Sequence, residues 1–183
     1  RYYRPFFYSF IILTMKSNLF IILLVLLTAC SESIKPVDKA VENQILYIGN
    51  GTEPQDLDPH IVTGVPESKV LMALLEGLVI RNPDGPMPLP GVAMNWEISN
   101  DGKTYTFNLR KDAAWSNGDS VTAFDFVYAW KRVLLPSLGS KYPDMLYDVV
   151  NAEEFNKGSI TDFSKVGVKA LDKSTLQVNL KNP

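Results

Sequence analysis

Asp56, Asp58 and His60 alternate acid, acid and imidazole, and on a strand they would share one face as hard-metal ligands or a general base. Pro54, Pro59 and Gly64 place them instead in a turn-rich loop, where such side chains satisfy backbone groups more often than they hold a metal. The chain has one histidine, so any Ser-His-Asp scheme must use His60 as its base, and no Gly-x-Ser-x-Gly elbow accompanies it. Gly49-Asn50-Gly51-Thr52 lacks the third glycine and the lysine of a phosphate loop. Asn100-Asp101-Gly102-Lys103 lacks the further oxygen ligands and closing glutamate of a calcium loop, and reads as a turn. Trp96, Trp115 and Trp130 could stack a ligand, but their strand and helix spacing suits core packing. No catalytic residue, metal or cofactor is expected, which favours binding over catalysis.

The single cysteine, Cys30, follows the apolar run Leu19 to Ala29, with Lys16 ahead of it. That run lies within the roughly 7–15 residues of a secretory signal core and falls short of the roughly 20 needed to span a bilayer. Phe6 to Leu13 could extend it backwards as a membrane anchor, but Lys16, Ser17 and Asn18 interrupt the stretch. Leu27-Thr28-Ala29-Cys30 resembles the bacterial lipobox, in which the cysteine is acylated on sulfur and becomes the mature N-terminus. Cys30 is therefore the expected lipid-attachment site. Residues 15–30 read as a lipoprotein signal peptide starting at Met15, residues 1–14 as upstream, non-native translation, and residues 31–43 as a flexible tether.

A hydrophobic fraction of 46% and a charged fraction of 21% describe a globular body rather than a disordered one. A net charge of −2 with interspersed signs offers no basic surface, so nucleic acid is not an expected partner. One cysteine makes no internal disulfide, and no Cys/His spacing suggests zinc.

The periodicities predict mixed α and β structure. Ile45 to Gly49 reads as a short buried strand. Pro66-Glu67 opens a helix whose apolar stripe Val70, Leu71, Leu74, Leu75 and Leu78 packs into the core, with Gly77 as its stop. Trp96 to Ser99 and Tyr105 to Arg110 alternate around Asn100-Asp101-Gly102 as a hairpin. Thr122 and Asp125 form a capping box for a helix that Pro136 stops. A second helix is expected from Pro143 to Lys157, with Met145, Leu146, Val149 and Val150 on its apolar side and Gly158 closing it. Val166 to Leu171 and Thr175 to Leu180 form another hairpin around Asp172-Lys173-Ser174, after which the sequence reads as truncated.

Several motifs together resemble the N-terminal part of the extracellular solute-binding proteins of the peptide/nickel family, and among them the oligopeptide-binding proteins of ABC transporters. Gly51-Thr52-Glu53-Pro54-Gln55-Asp56-Leu57-Asp58-Pro59-His60 is similar to the family's opening loop, and Gly64-Val65-Pro66-Glu67-Ser68 with Leu75-Glu76-Gly77-Leu78 to the helix that follows. Gly91-Val92-Ala93, Trp96, Asp101-Gly102, Tyr105 to Arg110, Trp115-Ser116-Asn117-Gly118 and Val121 to Phe126 resemble its central signature, with Asn117 where aspartate is commoner.

The resemblance implies a periplasmic-binding-protein type II-like α/β fold of two lobes, with a small domain inserted in the first. Residues 44–75 would begin lobe I and residues 76–183 would form an incomplete inserted domain, with lobe II absent. It further implies a monomer without enzymatic activity in the cell envelope, facing the periplasm or cell exterior, where the lipobox-like segment at Cys30 would anchor it by lipid. Such a protein would capture oligopeptides and pass them to the transmembrane subunits of an ABC permease. Thr63, Gly64 and Val65 would run beside the peptide, and Tyr142 would reach it from the inserted domain. Some oligopeptide binders carry an acidic residue where Thr63 stands. The alternatives from other classes are a cell-wall-associated hydrolase or other envelope enzyme, and a structural lipoprotein.

Overall fold

The computed structural model describes residues 35–183, so Cys30 and the signal segment lie outside the described residues. The chain divides into a unit ending at Gly49 and a unit spanning Asn50–Pro183. Among the described residues no helix is long and apolar enough to cross a membrane.

In the first unit, α1 (Pro36–Glu42) occupies part of the segment expected to be a tether. Pro36 supplies the pre-set φ of a first turn, and Asp38 faces the positive end of the helix dipole. The Ile45–Gly49 run is not a buried strand: Ile45, Leu46, Tyr47 and Ile48 are all exposed. Its apolar composition supplies strand propensity, but a strand also needs a neighbour to take its hydrogen bonds, and no strand among the described residues pairs with it.

The second unit begins with the loop that leads into α2 (Val65–Leu74). Gly64 is its N-cap and Pro66 lies in the first turn, as expected, but the helix ends before Gly77. Leu75 turns to an extended conformation, because Gly77 and Leu78 are drawn into pairing. The amides of Val92 and Ala93 donate to the carbonyls of Gly77 (2.9 Å) and Leu78 (2.9 Å). The two-residue strands β1 (Val79–Ile80) and β2 (Leu89–Pro90) continue that pairing. The expected stripe packs into the core only in part: Leu74 and Leu75 are exposed, Val70 and Leu71 are half-buried, and Leu78, beyond the helix, packs against the core.

The centre of this unit is a four-stranded antiparallel sheet in the order β3 (Ala93–Ile98), β4 (Thr104–Leu109), β6 (Thr175–Asn179), β5 (Val168–Ala170). Both hairpins form where alternation and turn residues predict them. Gly102 takes φ +70° in the first turn, and the Asp172 carboxylate accepts from the Ser174 amide (2.7 Å) in the second. Register places Phe107 opposite Leu176 and Tyr105 opposite Val178, on the face that α3 (Ala123–Leu134) covers.

The expected capping box opens α3: the Asp125 carboxylate accepts from the Thr122 amide (2.7 Å) and hydroxyl (2.8 Å). The core includes Leu109, Ala123, Leu134, Ala152, Phe155, Leu176 and Val178, with Trp130 partly buried against it. Trp96 packs on Phe107 with ring centroids 6.2 Å apart, whereas Trp115 is 47% exposed and is not core.

The helix expected from Pro143 to Lys157 is broken into a 3-10 turn (Pro143–Leu146) and a short α4 (Ala152–Asn156). The sheet captures what lies between. The Val150 amide donates to Asn179 (3.0 Å), its carbonyl accepts from Gly167 (2.8 Å), and Val149 bridges to Leu180. Met145 is exposed rather than on an apolar face. Gly158 closes α4 at φ +78°, and Asn156 reaches from it to donate to the Leu134 carbonyl (2.9 Å), filling an open acceptor at the end of α3.

A candidate peptide cleft

The loop between Gln55 and Glu67 is built by its own aspartates. Asp56 Oδ1 accepts from the Leu57 (2.6 Å) and Asp58 (3.0 Å) amides, and Asp58 Oδ1 accepts from the His60 amide (3.0 Å). The Asp58 carbonyl then receives Ile61 (3.1 Å) and Val62 (3.2 Å), which wraps the chain into a turn.

Two longer-range contacts hold this loop. Arg132, in the last turn of α3, grips the Asp58 carboxylate with both Nη1 (2.8 Å) and Nη2, and its Nη1 lies 2.8 Å from His60 Nδ1. The fork holds the Asp58 carboxyl down at about 2, and burial together with the Arg132 charge lowers the His60 imidazole from its ordinary 6.5. The second contact comes from the start of α2, where Glu67, only 4% exposed, accepts from the Gln55 amide at 2.7 Å. Sequence reasoning assigned Asp58 and His60 to the loop's internal bonding but missed Arg132, which is 74 residues distant.

Between the loop, α2 and the Pro143–Leu146 turn lies an open cleft of about 420 Å³. Pro59, Val62, Thr63 and Gly64 form one wall, Ser68, Leu71, Met72 and Leu75 of the helix and its end form another, and Tyr142 stands across from them. The fold thus brings Thr63, Gly64 and Tyr142 together. Val65 does not line the cleft; it opens α2 and is 68% exposed. Tyr142 is itself 55% exposed, so its ring is available.

Among the described residues, the cleft lining contains no charged side chain, only apolar surface with two hydroxyl-bearing groups and the tyrosine. That composition suits contact with main-chain groups and apolar side chains. Among the described residues no group of three or more His, Cys, Asp or Glu side chains is placed to hold a metal ion. Asp56, Asp58 and His60 are occupied as described, with Arg132 where a cation would have to sit.

The model of the bacterial extracellular solute-binding proteins, family 5, middle part, matches residues 88–183. The periplasmic oligopeptide-binding protein of Haemophilus influenzae is 46% identical over 144 residues, covering 78% of this chain and 26% of the relative. A crystal structure of the H. influenzae protein in complex with RPPGFSPFR superposes with a TM-score of 0.67 at 47% identity, over 73% of this chain and 26% of that one. The murein tripeptide-binding protein of Escherichia coli gives a TM-score of 0.66 at 41% identity, over 72% and 26%. The chain therefore spans about a quarter of the length of these relatives. Its mixed helix-and-sheet fold is part of the two-lobed periplasmic-binding architecture expected from the resemblance. On the match over residues 88–183 and the identity across most of its length, this chain belongs to the bacterial extracellular solute-binding proteins, family 5.

Proposed function

We propose that the protein to which this chain belongs is the peptide receptor of an ABC importer, with no chemistry of its own. The carrying observation is the uncharged cleft in which Thr63 and Gly64 face Tyr142, in a chain 46% identical to an oligopeptide-binding protein. Every peptide offers the same N–H and C=O pattern, so a wall of loop backbone and small side chains accepts many sequences. Tyr142 adds a rigid, amphipathic surface at small entropic cost, and Met72 adapts its shape to different ligand side chains.

In this reading residues 44–75 begin lobe I and residues 76–183 belong to the inserted domain. The second lobe lies in the part of the relatives' length that this chain does not span. Closure of two lobes would exclude water and supply the contacts that one wall cannot. Cys30 would carry the lipid that tethers a monomeric receptor to the cell envelope, where it hands its cargo to the permease.

Calorimetric titration of the full-length receptor with a mixed-sequence oligopeptide series tests this. Binding across several unrelated sequences is expected. Binding of none of them, or turnover of any of them, would refute the reading.

A further inference from the structure

Gly64 has φ −82° and ψ 155°, an extended conformation open to any residue, so its backbone does not call for glycine. Its surroundings do. A β-carbon built there would lie 2.8 Å from Cδ of Glu67 and closer still to Oε2, well inside van der Waals contact. Glu67 is the third residue of α2, and its side chain folds back over the N-cap in the manner of a capping-box glutamate. Here, however, Oε1 does not stay within the helix; it takes the amide of Gln55, 12 residues earlier. Oε2 is buried and has no hydrogen-bond partner among the described residues. One carboxylate therefore closes the neck of the loop that carries Pro59, Val62, Thr63 and Gly64, the residues forming one wall of the cleft.

We propose that Glu67 is a positioning residue for this wall: its buried carboxylate, packed beside Gly64, ties the start of α2 to the Gln55 end of the loop, and position 64 carries no side chain because the carboxylate occupies that space. The proposal rests on the cleft being the peptide site. A ligand that pairs with loop backbone needs that backbone already in place, since ordering it on binding subtracts from affinity. The obstructing group at Gly64 is the end of a flexible side chain. Gly64→Ala would therefore displace the carboxylate and free Gln55 rather than unfold the chain.

The experiment is peptide titration of the full-length receptor as wild type, Gly64→Ala, Glu67→Ala, Glu67→Gln and the Gly64→Ala/Glu67→Ala double variant. Hydrogen exchange at the Gln55 amide is measured on each. Glu67→Ala and Gly64→Ala should each lower affinity roughly tenfold, the loss expected when a charge-assisted hydrogen bond no longer holds the wall. The double variant should bind no worse than either single one, because both changes break the same contact. Glu67→Gln keeps an acceptor for Gln55 and should stay near wild type in both affinity and exchange. Should Gly64→Ala fail to fold, the Glu67→Ala and Glu67→Gln pair carries the comparison alone.

Losses that multiply in the double variant, or a Glu67→Gln as impaired as Glu67→Ala, would overturn the proposal. So would a Gln55 amide that exchanges freely in the wild type. A wild-type receptor that takes up no peptide removes the reading of the cleft itself, an outcome visible before any variant is compared.

Discussion

Arg132 and Asp58 are joined by a two-pronged guanidinium–carboxylate contact, which fastens the loop below the cleft to the helix that covers the sheet. Both side chains are mostly shielded, at 30% and 22% exposure, so this pair is worth more than a mobile surface bridge. Pro59, the next residue after Asp58, lines the cleft, and the fork therefore transmits the rigidity of α3 to the candidate site.

This relationship gives the stability of the fold a pH signature. Asp58 titrates at about 2 in the folded chain against an ordinary 3.8, first because Arg132 binds its charged form. The contribution is therefore complete above the unfolded value and is lost as pH falls through the folded one. His60 is also lowered, from 6.5, by burial and then by Arg132, so protonating it costs stability as pH drops below its ordinary range. Urea midpoints should decline in two limbs, a shallow one below pH 6.5 and a second below 3.8. His60→Gln should remove the first and Asp58→Asn the second, with the Asp58 limb worth about 1 kcal/mol after solvent screening. The measurement is the difference between each variant and wild type, because other carboxylates in the chain also titrate low. An unchanged profile in both variants would count against the latch.

Tyr142, across the cleft, and Trp96, in the sheet, should respond oppositely to truncation. Tyr142→Ala should weaken peptide binding of the full-length receptor by roughly 1–2 kcal/mol and leave the melt almost unchanged, since an exposed ring contributes little to folding. Trp96→Ala should lower stability while sparing affinity. Trp96 is partly rather than fully buried against Phe107, so its loss should cost about 2 kcal/mol, below the ~3–5 of a fully buried indole. The reverse pattern in paired melts and titrations would show that core and cleft have been exchanged.

What the sequence reveals follows the range of the interactions. The two hairpins are legible because each turn carries its own aspartate and the alternation of β6 matches its buried residues, Leu176 and Val178. The start of α3 is legible because Thr122 and Asp125 bond across one turn. The break at Val149 and Val150 is not, since both are captured by Leu180 and Asn179, and helix periodicity contains no sign of that competition. Likewise Gly77 looks like a helix stop until its carbonyl is found to serve Val92. Of the residues the resemblance named, Thr63, Gly64 and Tyr142 line the candidate cleft and Val65 does not, while Arg132 could not be paired with Asp58 from spacing alone. Glu67 leaves a local trace, a glutamate three residues after a helix-capping position, but nothing in the spacing pairs it with Gln55.

The sheet itself should fail at Leu176. This residue is fully buried, lies opposite Phe107 on β4 and faces the helix α3. Leu176→Ala should destabilise the domain by about 2–5 kcal/mol, through lost burial and the cavity left in a close-packed layer. A chevron or equilibrium urea series on the full-length receptor would measure it; a cost below about 1 kcal/mol would mean that the layer collapses to fill the space.

The final expectation concerns Cys30, which follows Leu27-Thr28-Ala29 and the apolar run that starts at Leu19. An acyl chain contributes about 0.8 kcal/mol per buried CH₂, one chain alone holds a protein only reversibly, and two or more hold it firmly. Cys30→Ser removes the sulfur that would be acylated, so the receptor should appear in the soluble fraction or accumulate as unprocessed precursor. Fractionation with metabolic labelling by a fatty-acid analogue separates these outcomes, and intact mass of the mature protein reads the modification directly. A mature wild-type protein with an unmodified Cys30 would remove the proposed lipid anchor while leaving the proposed peptide cleft standing, because the described residues that line the cleft all belong to the unit spanning Asn50–Pro183.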